Sequence, residues 1–188
     1  GEPGLLGYYI ADEPEIHNCR SAYLESYYQY LAELDPYHPV IVTCAGDSGV
    51  PLYKDALDVN WTQVYGNTTF VANRIDKHRS SLNPGTPLAA ILHCYDPVQF
   101  ALRTQGKQGD PAKFQPDGRL MRANAFMALA HNSSCLVWWE WGSGSPLQYT
   151  VANVPDEWAS LKQTVADMKS LRPVLTAEGR IHTWIKKP

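Results

Sequence analysis

The sequence has no run approaching the roughly 20 consecutive apolar residues that a membrane-spanning helix needs, so no span is expected. It has no excess of basic residues either. Sixteen Lys and Arg stand against 19 Asp and Glu, for a formal charge of -3. Nucleic-acid surfaces normally show as basic patches, so no nucleic-acid partner is expected. Neither a Gly-x-Gly-x-x-Gly nor a Walker sequence follows any predicted strand, which argues against a nucleotide fold. The four cysteines, Cys19, Cys44, Cys94 and Cys135, have no metal-ligand spacing. Neither a metal nor an organic cofactor is implied. With no signal peptide and no initiator Met, Gly1 is expected to be a processed or cut end.

Aromatics are present in number: six Trp and eleven Tyr in 188 residues. Core filling accounts for many of them. The functional alternative is carbohydrate contact, because aromatic faces stack on the C–H faces of sugars. The length suits one domain with a sizeable core. Three N-x-[S/T] sequons begin at Asn60, Asn67 and Asn132. Together with an even cysteine count they point to a secreted or extracellular protein. Asn60 is expected mid-strand and buried, whereas Asn67 and Asn132 fall in predicted loops and are the glycosylation candidates.

Hydrophobic periodicity divides the chain into alternating strands and helices. GYYIADEP is a strand that ends in two acids and a proline. In residues 20–34, RSAYLESYYQYLAEL, Tyr23, Leu24, Tyr27, Tyr28 and Leu31 recur at helical spacing. PVIVTCA is a buried strand, and a short helix is expected around 52–56. LDVNWTQVY, PLAAILHCY and CLVWWEW read as further strands. Helices are predicted at about 69–82, 119–131 and 156–171. The polar segment 96–117 has the length of a functional loop.

This order implies an α/β fold with a parallel sheet covered by helices. An open doubly wound sheet and a (β/α)8 barrel both fit. Polar residues gather at the strand C-terminal ends, namely Asp12, Glu13, Asp47, Tyr65, His93, Asp96 and Glu140. Barrel enzymes build their sites at that face.

Two passages carry a family likeness. GYYIADEPE resembles the fourth strand of a clan A glycoside hydrolase barrel, where Asn-Glu-Pro is typical and the Glu is the acid/base. RANAFMALAHNSSCLVWWEWG resembles the seventh helix leading into the eighth strand. The LRPVL sequence at 171–175 resembles the exit from the last barrel helix in multidomain members. The resemblance implies that residues 1–175 are the C-terminal portion of a TIM barrel, strands four to eight. Residues 176–188 would then be a tail or the start of a following β domain. The N-terminal half of the barrel is expected from another chain or a missing segment.

Glycoside hydrolysis needs two carboxyl groups flanking one bond, about 5 to 5.5 Å apart for retention and about 6.5 to 9.5 Å for inversion. Glu13 is the candidate acid. Strict strand alternation places it with Tyr9 and Ala11, and turns Asp12 away with Tyr8 and Ile10. The competing reading makes Asp12 a helix cap and Glu13 a solvated first-turn acid. Glu140, on one strand face with Trp138 and Leu136 and next to Trp139 and Trp141, is the candidate partner, its alternative being a structural acid bonded to backbone or Arg. In the family the nucleophile sits on strand seven, where Asp96 is the available acid. Asp12, Tyr65, His93 and the three tryptophans are the candidate sugar contacts, with His93 more in the pattern of a core histidine. A Cys19–Cys44 disulfide is geometrically possible and is the candidate bridge, whereas Cys94 and Cys135 are expected too far apart. The leading expectation is glycosidic bond hydrolysis. The alternative is a non-catalytic extracellular glycoprotein, carbohydrate-binding or structural, on the same barrel.

Overall fold

Val40–Cys44, VIVTC, is β-branched at four of five positions, and all five residues are buried. Leu88–His93 is likewise buried throughout. Continuous apolar runs of this kind are what the centre of a parallel sheet requires. In the computed structural model, which describes residues 4–95, 105, 117–139, 151 and 154–176, these two runs are the second and fourth of five strands. In chain order the elements are β1 (Tyr8–Asp12), α1 (Ser21–Leu34), β2 (Val40–Cys44), α2 (Gly49–Tyr53), β3 (Val59–Gln63) and α3 (Thr68–Ser81). They continue with β4 (Leu88–His93), α4 (Gly118–Ala130), β5 (Cys135–Trp139), α5 (Pro155–Ser170) and α6 (Arg172–Leu175). The expected 96–117 loop lies outside the described residues apart from Gln105 and Asp117.

The fold is α/β, with a five-stranded sheet in the order β1-β2-β3-β4-β5, every neighbouring pair parallel. A doubly wound sheet reverses its order at a switch point, and no such reversal occurs among the described strands. Right-handed crossovers that always step the same way leave their helices on one face. Leu24 of α1, Val50 and Tyr53 of α2, Val71 and Ile75 of α3 and Ala125 and Ala128 of α4 accordingly share one core. That core includes Val42, Cys44, Leu88, Ala90 and Leu92 from the sheet. The opposite face has no described helix in that core. Two helices begin at side-chain caps. Asn67 Oδ1 accepts the Phe70 N–H, and Asp117 Oδ1 accepts those of Arg119 and Leu120, satisfying amides that a helix start leaves open.

β1 departs from the expected alternation. Tyr9 pairs with Ile41 and Ala11 with Val42, so Ile10 is an extra residue in the ladder. This is a β-bulge, which inverts side-chain parity beyond it. Ile10 and Ala11 both pack against the helix-side core. Tyr9 and Asp12 share the other face, where their side chains hydrogen bond. The expectation that Asp12 turns away from Tyr9, and that Ala11 accompanies Tyr9, is overturned by this single inserted residue.

The cysteines also correct an expectation. All four are free, and no bridge joins Cys19 to Cys44. Cys44 is fully buried in the helix-side core, its thiol pushed up to about 12 by burial and then by the charge of Glu15. No described helix is long and apolar enough to cross a membrane.

Candidate functional site

β3 reads alternately half-buried and buried. Asn60, Thr62 and Val64 face the helices, and Trp61, Gln63 and Tyr65 face the other way. On that side, at the strand C-terminal ends, lies a cleft of about 570 Å³. Tyr9, Trp61, Tyr65 and Trp139 form its aromatic walls, Ile91, Val137 and Gln63 its remaining lining, and Asp12 and Glu13 its acids. Tyr9 lies 5.3 Å from Trp61 between ring centroids. Tyr65 stacks on Trp139 at 5.6 Å, and Tyr95 meets both edge-on at 5.8 and 5.2 Å. Rings in mutual contact lose little freedom when a ligand arrives, so the walls are pre-organised.

Asp12 is fixed at one oxygen. The Tyr9 hydroxyl donates to its Oδ1 at 2.7 Å and lies 2.9 Å from the Thr43 hydroxyl. Burial, reinforced by Asp12, holds the Tyr9 phenol well above the usual tyrosine range. The Tyr65 phenol is raised as well, by burial first and then by Tyr95, Glu13 and Asp12. Both phenols therefore remain hydrogen-bond donors at any working pH.

Glu13 follows β1 directly and has φ +47°. Left-handed backbone is uncommon for a residue with a side chain and costs energy. Three hydrogen bonds hold it. The Glu13 N–H donates to Thr43 O at 3.0 Å, and its carbonyl accepts from Ile16 and His17 at 2.9 and 3.3 Å. Pro14 beyond it is buried. Turns occupy 13–18, and α1 begins only at Ser21 with Arg20 as its cap residue. The helix-cap reading of Asp12 and Glu13 therefore does not apply.

The other sequence candidates fall in different places. Tyr65 and Trp139 line the cleft. Trp138 packs on the helix side of the sheet and lines two other cavities, of about 510 and 640 Å³, against α5. Among the described residues no carboxylate lines either of those cavities, so size does not pick out the chemically equipped one. His93 ends β4 4% exposed, with its ring against Tyr95 at 5.6 Å. Burial lowers its pKa, so it is neutral; it is buried as a core histidine would be, but its Nδ1 has no hydrogen-bond partner among the described groups. Asp96, Glu140 and Trp141 lie outside the described residues. Asn67 and Asn132 are exposed, while Asn60 is fully buried. Asp47, another polar strand-end residue, sits away from the cleft among Arg74, Lys77 and His78. Among the described residues no group of three or more His, Cys, Asp or Glu is placed to hold a metal.

Trp61, Gln63, Ile91 and Val137 line the cleft without being sequence candidates. The available signal was parity: Trp61 and Gln63 are in step with Tyr65, and Val137 with Trp139. Compared with known proteins, the chain matches no family model and no curated sequence, so the reading of the cleft rests on its own geometry.

Proposed function

We propose that the protein hydrolyses glycosidic bonds, with Glu13 as the general acid/base in the aromatic cleft. The observation that carries this is the strained placement of Glu13. A side-chain-bearing residue is held at φ +47° at the C-terminal end of a parallel strand, beside a cleft walled by four aromatic rings. Strain of this kind persists where the surroundings over-determine it, and it clusters at functional sites. Aromatic faces supply sugar stacking, and Gln63, Asp12 and the two phenols supply hydrogen bonds to hydroxyls. The second carboxyl would come from Glu140, next in sequence after Trp139, or from Asp96, next after Tyr95.

The proposal includes a (β/α)8 barrel completed by further βα units, from a missing segment or another chain. Three features support it, the first two being the sequential strand order and the fact that β1 and β5 each have one described neighbour only. A third is the exposed stripe Tyr23, Tyr27, Tyr30 and Leu34 on α1. It lies about a quarter-turn from the buried Leu24 and Leu31, on the flank opposite Tyr28, whose hydroxyl reaches Asp58. We further propose a secreted protein glycosylated at Asn67 and Asn132. A binding-only role is the second reading, favoured by β4 ending in a neutral His93 rather than an acid.

The test is hydrolysis of a panel of aryl glycosides and soluble polysaccharides by the intact protein and by its Glu13→Gln variant. Loss of turnover by at least about 100-fold, with binding and melting temperature retained, is expected. Turnover unchanged in Glu13→Gln would refute the assignment. Saccharide binding without turnover in either protein would establish the binding-only reading.

A further inference from the structure

Two residues beyond Glu13, a second acid turns the other way. Glu15 reaches beneath the loop that joins β2 to α2, where its Oε1 accepts the Gly46 N–H at 2.6 Å. Its Oε2 is buried and makes no hydrogen bond to any described group. The loop is shaped around this carboxyl. A Cβ on Gly49 would fall 2.7 Å from Glu15 Cδ and 2.7 and 2.8 Å from its two oxygens, closer than nonbonded carbon and oxygen atoms approach. Gly49 therefore leaves the space that Glu15 fills, although its own φ needs no glycine. A partly buried carboxylate with one oxygen unpaired is costly, and nothing in the cleft accounts for it.

The position along the chain supplies a reason. The Glu13 N–H is tied to Thr43 O at the end of β2. Glu15 is tied to Gly46, three residues further along that same segment. Residues 13–15 are thus pinned at both ends to one continuous stretch of backbone, with buried Pro14 between the pins. The Glu15 pin thus adds a side-chain tie to the backbone hydrogen bonds from Ile16 and His17 that also hold the turn away from the negative φ a glutamate prefers.

We propose that Glu15 is a positioning residue for Glu13: keyed into the space at Gly49 and bonded to Gly46, it holds the turn that carries the Glu13 carboxyl to the cleft. The proposal rests on Glu13 being the acid/base. It assigns Glu15 no contact with substrate.

The test uses Glu15→Ala, Glu15→Gln, Gly49→Ala and the Glu15→Ala/Gly49→Ala double variant of the intact protein, with a glycoside that the wild type turns over. Displacing a reacting group by about 1 Å costs on the order of 100-fold. Glu15→Ala is expected to lower kcat by about that factor with KM within a few-fold. Glu15→Gln, whose amide oxygen still accepts from Gly46, is expected to stay within several-fold of wild type. Gly49→Ala should reproduce the Glu15→Ala defect with the glutamate present, and the double variant should be no worse than either single one, because they break the same fit. If Glu15→Ala fails to fold, Glu15→Asp, one methylene short of Gly46, takes its place with the same expected kcat loss. Wild-type kcat per folded molecule in the Ala and Asp variants, or additive losses in the double variant, would overturn the proposal. A crystal structure of the Glu15 variant separates this proposal from the glycosidase reading. If the wild type hydrolyses nothing on the panel, that reading fails by itself. Residue 13 moving to negative φ in the variant then supports the positioning role, and residue 13 staying near +47° overturns it.

Discussion

The two faces of the sheet use adjacent positions of the same strands for opposite purposes. On the helix side, Val42, Cys44, Leu88, Ala90 and Leu92 have no exposure at all. The polar groups there form a chain. Asn60 donates to Thr62 Oγ1 at 2.6 Å, and Thr62 Oγ1 lies 3.1 Å from His78 Nδ1. On the cleft side, Tyr9, Trp61, Gln63, Tyr65 and Trp139 are half-exposed or exposed, and the acids lie among them. Trp61 and Thr62 are neighbours in sequence, yet one walls the cleft and the other anchors a buried hydrogen-bond chain. Substitutions on the two faces should therefore separate stability from cleft chemistry.

The largest stability effect is expected from Leu92→Ala on the helix side. Truncating a fully buried leucine leaves a cavity and costs about 2 to 5 kcal/mol. Urea denaturation should show that loss, while saccharide affinity per folded molecule stays near wild type. A variant that kept its stability but lost binding would invert the comparison.

His78 comes next. It is fully buried, and burial first, then the charge of Arg74, lowers its pKa from 6.5 to about 4, Asp47 opposing. Between those values the unfolded chain takes up a proton that the folded chain refuses, so stability falls as pH drops from about 6.5 toward 4. Full expression of that shift is worth on the order of 3 kcal/mol. Denaturation midpoints at a series of pH values should show this slope in wild type and not in His78→Gln. Parallel slopes would assign the acid sensitivity elsewhere.

On the cleft side, Glu13→Gly should act in the opposite direction. Glycine adopts φ +47° without steric cost, so about 0.5 to 1 kcal/mol of stability is expected to return, a rise of roughly 1 to 4 °C in Tm for a chain of this size. Hydrolysis should be lost in the same variant. A lower Tm would mean that the Glu13 side chain stabilises the fold by more than its backbone strain costs.

The smallest effect is expected from Tyr9→Phe, which removes the donor to Asp12 Oδ1. About 0.5 kcal/mol of stability should be lost, since the pair is partly solvated and a hydrogen bond is worth only about 1 kcal/mol net. Binding should weaken more visibly than folding. Calorimetric titration with the saccharide beside a thermal melt would read both from one preparation.

Strand and helix order were legible because β2 and β4 carry unbroken apolar runs and α1 repeats its apolar residues at helical spacing. The side-chain parity of β1 was not. Alternation presumes one residue per rung, and the bulge at Ile10 is settled by pairing with β2, which no local pattern encodes. Alternation separates Trp138 from Trp139 in the sequence, but which of the two faces is open is not marked there, and it is Trp139 that walls the cleft while Trp138 packs against the helices. The Asn60–Thr62–His78 chain joins a strand to a helix in three dimensions. His78 alone, inside a polar helix, gave no sign of complete burial. Glu13 is singled out in the sequence by the family likeness of Asp-Glu-Pro, whereas its left-handed backbone and the Glu15–Gly46 contact depend on Thr43, Gly46 and Gly49, some 30 residues away in the chain.

The bulge also bears on which lengths of this strand can exist. Removing one residue from the middle of a strand normally slips every later rung and turns each side chain to the wrong face. Ile10 has no rung of its own, so deleting it would leave Tyr9 opposite Ile41, Ala11 opposite Val42 and Asp12 opposite Thr43. β1 can thus lose a residue without a frameshift in its pairing. In any future alignment of related chains, a gap at this site is to be read as the same strand with its bulge smoothed out.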